Sequence, residues 1–284
     1  MTRLIEDYGM IGDGQTAALV GRDGSIDWLC WPRFDSDACF AALLGTQEHG
    51  FWRIAPVSAR STKRRYQPDT LVIETEFEDS EGRALVIDFM PIREGAPVLA
   101  RIVRGLSGRV RMRSELRLRF DYGSARPWLE RDGAAMVARI GPDMAVLHAD
   151  VDWREDGPSV VSEFDLASGD ELSFTLHYER SEDAVPMPVD ARALLAQTQA
   201  WWRDWIGRFE RRTDWPDAMR RSLITLKAMI YRPTGGIVAA PTTSLPEAPG
   251  GEWNWDYRYC WVRDATLTLS ALLNAGFHEE AVSA

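Results

Sequence analysis

Between about residues 15 and 180, short runs rich in Val, Ile, Leu, Phe and Tyr alternate with turn signals. These include Arg22-Asp23-Gly24, Ser80-Glu81-Gly82, Ser107-Gly108, Arg131-Asp132-Gly133 and Ser168-Gly169-Asp170. Apolar runs of this length, punctuated by Gly, Asp and Ser, predict antiparallel strands joined by tight connections. The runs place strands over 71–78, 85–89, 98–106, 110–120, 136–140, 144–149, 160–166 and 172–178. So many strands without an intervening helical pattern predict a β-sandwich rather than an α/β sheet.

The stretch 109–120 shows the period most clearly. Val110, Met112, Leu116, Leu118 and Phe120 take the even positions, and Arg109, Arg111, Arg113, Glu115, Arg117 and Arg119 the odd ones. A period of two puts all of these charges on one face, the solvated side of a half-buried strand rather than a polyanion-binding row.

After Pro186 and Pro188 the spacing changes to steps of three and four: Leu194, Leu195, Thr198, Trp201, Trp202, Trp205 and Phe209 predict a linker helix over 190–209. Its tryptophans read as packing anchors between two domains. A second helix is predicted from an N-cap at Asp214, two residues before Pro216, through Met219, Leu223, Leu226 and Ile230 to a stop at Pro233. Residues 234–256 hold Gly235-Gly236, Pro241, Pro246, Pro249 and Gly250-Gly251, which predicts a long loop of the kind that usually carries function. A third helix over 262–274 ends at Asn274-Ala275-Gly276.

The 284 residues, 45% hydrophobic and 27% charged, suffice for one large or two medium folded domains. The net charge of −10 argues against nucleic acid or an anionic membrane surface as a partner, because phosphate binding relies on Lys and Arg displacing counterions. No run approaches the roughly 20 apolar residues of a membrane span, and MTRLIEDYG lacks a secretory pattern, so a cytoplasmic protein is expected. Cys30, Cys39 and Cys260 form no C-x-x-C pair and are expected to be reduced, packed thiols. His49, His148, His177 and His278 share no metal-ligand spacing; no metal site and no cofactor is expected.

The densest chemistry lies in WNWDYRYCWVRD, residues 253–264, where Trp253, Trp255, Tyr257, Tyr259 and Trp261 are interleaved with Asp256, Arg258, Arg263 and Asp264. Aromatic faces stack on the C–H face of a pyranose, and Arg and Asp grip its hydroxyls. A buried aromatic cluster with a structural Arg–Asp pair has the same composition. Glu252 and Asp256 flank the cluster but sit on one loop, whereas an inverting acid–base pair brackets the scissile bond from two sides. A further set, Asp27, Trp28, Trp31, Arg33 and Asp35, fits either a mouth of the same site or an ordinary hairpin strand.

The stretch Tyr257-x-x-x-Trp261-Val262-Arg263-Asp264 resembles the first substrate-binding segment of glycoside hydrolase family 15, which comprises glucoamylases, glucodextranases and microbial trehalases. Ile5-Glu6-Asp7-Tyr8-Gly9, Gly12-Asp13-Gly14 and Gly24-Ser25-Ile26-Asp27-Trp28-Leu29-Cys30-Trp31-Pro32-Arg33-Phe34-Asp35-Ser36 resemble that family's trehalase-like N-terminal domain. The resemblance runs from residue 5 to the last residue. It implies a β + α multidomain fold: an antiparallel β-sandwich (super-sandwich) over 1–187, a linker helix within 188–212, and the first helices of an (α/α)6 barrel over 213–284. It also implies inverting hydrolysis of terminal α-glucosidic bonds in an α-glucan oligosaccharide or trehalose. Tyr257, Trp261, Arg263 and Asp264 would hold the terminal glucose, and no catalytic residue is expected here, because the acid and base glutamates are expected beyond residue 284. The chain alone is therefore expected to be inactive. A homo-oligomer is compatible with this reading. The rival readings are a non-catalytic carbohydrate-binding or interaction β-domain and a phosphorylase of related architecture.

Overall fold

The computed structural model describes residues 4–283. The strands are β1 (Tyr8–Gly12), β2 (Ala17–Gly21), β3 (Ser25–Cys30), β4 (Ala38–Phe40), β5 (Phe51–Pro56), β6 (Ser61–Tyr66), β7 (Ile73–Glu78), β8 (Gly82–Phe89), β9 (Val98–Arg117), β10 (Trp128–Asp132), β11 (Ala135–Ile140), β12 (Asp143–Ala149), β13 (Arg154–Asp156), β14 (Ser159–Ala167) and β15 (Glu171–Arg180). Helices α1 (Ala191–Gly207), α2 (Pro216–Ala228), α3 (Val262–Ala275) and α4 (His278–Ser283) follow. The architecture is a large antiparallel β-sandwich followed by helices, as the strand and helix periods predict.

One correction concerns its longest element. The two strands expected over 98–106 and 110–120 are a single strand, β9, which runs through the supposed turn at Ser107-Gly108. Its first half pairs with β8 and β15, its second with β5 and β14. The strand thus passes from one layer of the sandwich to the other, the usual way to turn a corner between packed sheets. Glycine is required at the crossing: Gly108 has φ +65°, and a Cβ on Gly105 or Gly108 would lie 1.9 Å from a carbonyl oxygen, of Ala167 and Glu81 respectively. The chemical signal of a turn was real, but it marks a bend inside a strand.

The even residues of the β9 arginine stretch are buried, as its alternation requires. The odd face is not simply solvated. Arg111 and Arg113 donate to Glu163 of β14 at 3.0 and 2.8 Å, and Arg117 pairs with Glu48. Arg119 departs from the pattern altogether, because it is buried.

Between the layers lies a core with Ile11, Ile26 and Trp52 from one sheet and Phe77, Leu147 and Phe174 from the other. A fully buried guanidinium, ion-paired within its own sheet, spans it. Arg101 donates to Asp88 at 2.7 Å, and its two other nitrogens donate to the carbonyls of Trp52 and Gly24 at 2.8 and 2.7 Å. Burial raises the Asp88 pKa, with Arg101 opposing. The fork of one guanidinium therefore joins three strand segments that hydrophobic contact alone would leave free to slide.

Helix α1 begins at Asp190, whose carboxylate accepts from the N–H groups of Arg192 and Ala193. Its first turns bury Ala191 and Leu195 on Val72, Ile87, Phe89 and Ile102. This second covered face explains why β8 is buried on both faces from Ala84 to Phe89 instead of alternating. Trp202 and Trp205 then join Met10, Phe34 and Leu71 of the sandwich to Leu223 and Ile224 of α2 and Leu272 of α3, the packing role expected of the tryptophans. Helix α2 starts later than expected: Trp215, not Asp214, is its N-cap, with Pro216 at the first position, and it ends at Ala228, before Pro233. Helix α3 stops at Gly276 in the left-handed conformation. No helix among the described residues is long and apolar enough to cross a membrane.

Pairing of β12 with β15 brings together two histidines that are far apart in sequence. His148 and His177 meet edge-on with centroids 5.4 Å apart. Burial first, and then His148, lower the His177 pKa to about 4. Above pH 6.5, the ordinary value, both native and unfolded chains carry it neutral, and its contribution to stability is complete. As pH falls from 6.5 toward 4 only the unfolded chain takes the proton, so stability should drop by up to about 3 kcal/mol. Urea midpoints measured across this range in the wild type and in His177→Leu check the expectation: the variant should have the flatter profile, and parallel profiles would refute it.

Candidate functional site

Residues 234–256 form the long loop expected from their Gly and Pro content, with isolated bridges but no helix or strand in it. The chain turns at Tyr231, whose N–H donates to the Gly236 carbonyl at 2.7 Å, and runs back along the 253–260 stretch as an irregular arm. Bridges Val238↔Cys260 and Thr243↔Asp256 pair its two sides. Backbone N–H groups of Ala240, Ser244 and Glu247 donate to Tyr257, Trp255 and Trp253 at 2.9, 2.8 and 2.9 Å. Prolines at 241, 246 and 249 break any regular ladder, which is why local pattern suggested a loop.

The arm docks on the sandwich through Arg258. Its guanidinium makes a two-pronged pair with Asp256, at 3.0 Å from Nε and 2.7 Å from Nη2, while Nη1 donates to the Ser36 carbonyl at 2.8 Å and reaches the Cys30 sulfur at 3.4 Å. Burial disfavours the charge on Asp256, yet the bonds from Arg258 outweigh it and hold the carboxyl below its ordinary range. Burial pushes the Cys30 thiol up to about 11, with Arg258 opposing. A second tie is the indole of Trp28, which donates to the Pro241 carbonyl at 2.7 Å. The structural Arg–Asp pair that composition allowed therefore exists, but it is Arg258–Asp256.

Of the four residues expected to bind sugar, Tyr257 and Trp261 stand at right angles with centroids 5.5 Å apart, and Trp255 meets Trp261 in the same way at 5.8 Å. The Trp261 indole is fixed by donating to the Asp256 carbonyl at 2.9 Å. Trp261 is also the N-cap of α3, so Arg263 and Asp264 fall in the first helical turn, where the helix dipole favours a carboxylate. Arg263 donates to Asp264 at 3.0 Å and remains largely exposed. The four residues thus come together as two pairs, one on each side of the junction between arm and helix. On α3 beside them, Val262 and Leu267 are 83% and 64% exposed.

Asp256 is engaged by Arg258, and Glu252 is exposed near the tip of the arm. Asp27, Trp28 and Trp31 are buried in or beside β3 and do not reach a mouth, whereas Arg33 and Asp35 are at the surface. Together with Tyr231, Tyr259 and Cys260 they line a cavity of about 310 Å³ between the sandwich and the arm. Cys30 and Cys39 are buried as expected, but Cys260 is exposed, because it borders this open cavity rather than the core. The sequence held the tyrosines of this cavity in plain view; what hid the site is that Arg33 and Tyr259 are separated by most of the chain.

Residues 2–162 match the trehalase-like N-terminal family, and residues 215–284 match glycosyl hydrolases family 15. The trehalase of Mycolicibacterium smegmatis is 33% identical over 98% of this chain and 46% of its own length. The trehalase of Thermoplasma volcanium is 30% identical over 98% and 46%, and trehalase 1 of Sulfolobus acidocaldarius 34% over 98% and 47%. The chain spans about half the length of the curated relatives it matches. A bacterial glucoamylase solved with acarbose superposes on all of this chain and 49% of its own with a TM-score of 0.68 at 12% identity, a likeness of fold.

Replacing Arg258 by Met leaves half-buried Asp256 with the backbone N–H of residue 258 but no cation, and the Ser36 carbonyl without its donor, which should cost about 2 kcal/mol of stability. It should also expose Cys30 to thiol reagents. An unchanged urea midpoint together with an unreactive Cys30 would show that the arm docks without this pair.

Proposed function

The chain belongs to the glycosyl hydrolase family 15 proteins that carry a trehalase-like N-terminal domain, and on that footing we propose that it supplies the β-sandwich and first sugar-binding segment of an inverting α-glucosidase. Trehalose is the substrate this reading favours over short α-glucans. Relatives at 30–34% identity bear the name trehalase, whereas the glucoamylase likeness concerns fold.

The observation that carries the proposal is the arm–helix junction. A right-angled aromatic pair stands beside an Arg–carboxylate pair at a helix start, on a segment anchored to the sandwich by a buried guanidinium. In this reading Tyr257 and Trp261 wall the terminal glucose, and Asp264 accepts from its outer hydroxyls with Arg263 beside it. Such contacts raise the rate where they strengthen as the ring flattens toward an oxocarbenium-like transition state.

Inversion needs an acid and a base roughly 6.5–9.5 Å apart on opposite faces of the sugar. Asp256 is taken by Arg258, and Asp264 by Arg263. We therefore assign both proton-handling carboxylates to sequence beyond residue 284. Uncovered Val262 and Leu267 on α3 suit a helix that packs against further barrel helices. Three unpaired thiols suit the reducing cytoplasm.

Assays on trehalose, maltose, isomaltose and starch, with and without phosphate, test the proposal. Residues 1–284 alone should show no turnover. In a protein extended to the length of the relatives, kcat/KM should be highest on trehalose, and Asp264→Ala should lower it by about 100-fold or more with an unchanged melting temperature. Wild-type kcat/KM in that variant on every sugar would overturn the assignment.

A further inference from the structure

The cavity between sandwich and arm is lined by none of the four residues assigned to the terminal glucose. We propose that it is a second pyranose-binding site, in which Arg33 and Asp35 grip ring hydroxyls and Tyr231 and Tyr259 offer aromatic faces. The choice of a sugar as ligand rests on the functional reading above.

Charge balance selects a neutral, hydroxyl-rich ligand. Arg33 is matched by Asp35 in a two-pronged pair at 2.9 and 3.1 Å. The second guanidinium of the lining, Arg258, is matched by Asp256. An anion would face two cations already neutralised, and a cation two carboxylates already engaged. Hydroxyls, in contrast, can use the remaining guanidinium N–H groups and carboxylate lone pairs of Arg33 and Asp35 without breaking their pair. The aromatic component is accessible, since Tyr259 is 52% exposed. A volume of about 310 Å³ lies at the small end of ligand pockets and suits a single ring or one end of a disaccharide.

Both walls are also held in place before any ligand arrives. Phe34 is buried in the core between sandwich and helices, and its N–H donates to the Gln15 carbonyl at 3.0 Å. The Arg33 N–H donates to Ser36 Oγ at 3.1 Å, and Arg258 joins the Ser36 carbonyl to the opposite wall at 2.8 Å. Such a site orders little on binding, which favours affinity for a small ligand.

Cys260 lines this cavity and is the exposed thiol of the three, so its alkylation by N-ethylmaleimide reports occupancy. Trehalose and glucose at saturation should slow that reaction several-fold, with sorbitol at the same concentration as control. The protection should vanish in Arg33→Ala and Asp35→Ala and persist in Asp264→Ala. Buried Cys30 and Cys39 verify folding, because a properly folded variant incorporates one label; a variant that labels further thiols is replaced by Asp35→Asn, for which the same loss is expected. Absence of protection by either sugar, survival of protection in Arg33→Ala and Asp35→Ala, or its loss in Asp264→Ala overturns the proposal. These outcomes leave the hydrolase reading untouched, since that reading stands or falls on turnover by the extended protein.

Discussion

The guanidinium of Arg258 ties together stretches that are more than two hundred residues apart: Asp256 on its own arm, the Ser36 carbonyl and the Cys30 sulfur. Arginine suits this seam because its planar fork donates in several fixed directions at once and keeps its charge when buried. A lysine would offer a point charge and no fixed fork. Arg258 thus holds the arm on the sandwich beside Tyr257 and Trp261, whose rings stand at right angles.

The sandwich supplies a rigid partner for this contact. Strand β9 belongs to both layers, so the two sheets cannot shift against each other without breaking it, and buried Arg101, paired with Asp88 on its own sheet, ties it to the Trp52 and Gly24 carbonyls of the other layer. Helix α1 covers one outer face and carries Trp202 and Trp205 to the junction with α2 and α3. Helix α3, whose first turn holds Arg263 and Asp264, is thus positioned by a chain of apolar contacts that starts in the β domain. The N-terminal domain is in this sense a structural wall of the candidate site, and Arg33 and Asp35 line the neighbouring cavity.

The charge distribution follows the same economy. An excess of ten negative charges is compatible with neutral ligands, and Arg33, Arg258, Arg111, Arg113 and Arg117 are each paired with a carboxylate, Arg111 and Arg113 sharing Glu163. Local pairing, rather than a broad field, sets the polarity of each surface, which suits recognition of hydroxyls by short directional bonds.

Period-two and period-3.6 patterns in the sequence by themselves determined the β-then-α organisation, the positions of β7, β8, β9, β11, β12, β14 and β15, the packing role of the tryptophans on α1 and the stop of α3 at Gly276. These follow from local rules: alternation, capping, and which side chains water rejects. Local pattern misplaced Ser107-Gly108 as a turn, because a glycine bend looks the same whether the strand ends or changes sheets. It missed β1, β2, β4, β5, β6, β10 and β13: β1, β2, β4 and β5 are short and buried on both faces, and β6, β10 and β13 carry too few apolar residues to stand out. For the candidate site, residue types at Tyr257, Trp261, Arg263 and Asp264 were readable as sugar-binding chemistry. Only the tertiary structure decided that Arg258–Asp256 is the anchoring pair, that Cys260 is exposed, and that Arg33 faces Tyr259. The physical reason is that the contacts of Arg258 with Ser36 and Cys30, and the approach of Arg33 to Tyr259, join residues more than two hundred positions apart, whose distance is set by sheet register and domain packing, quantities no local period encodes.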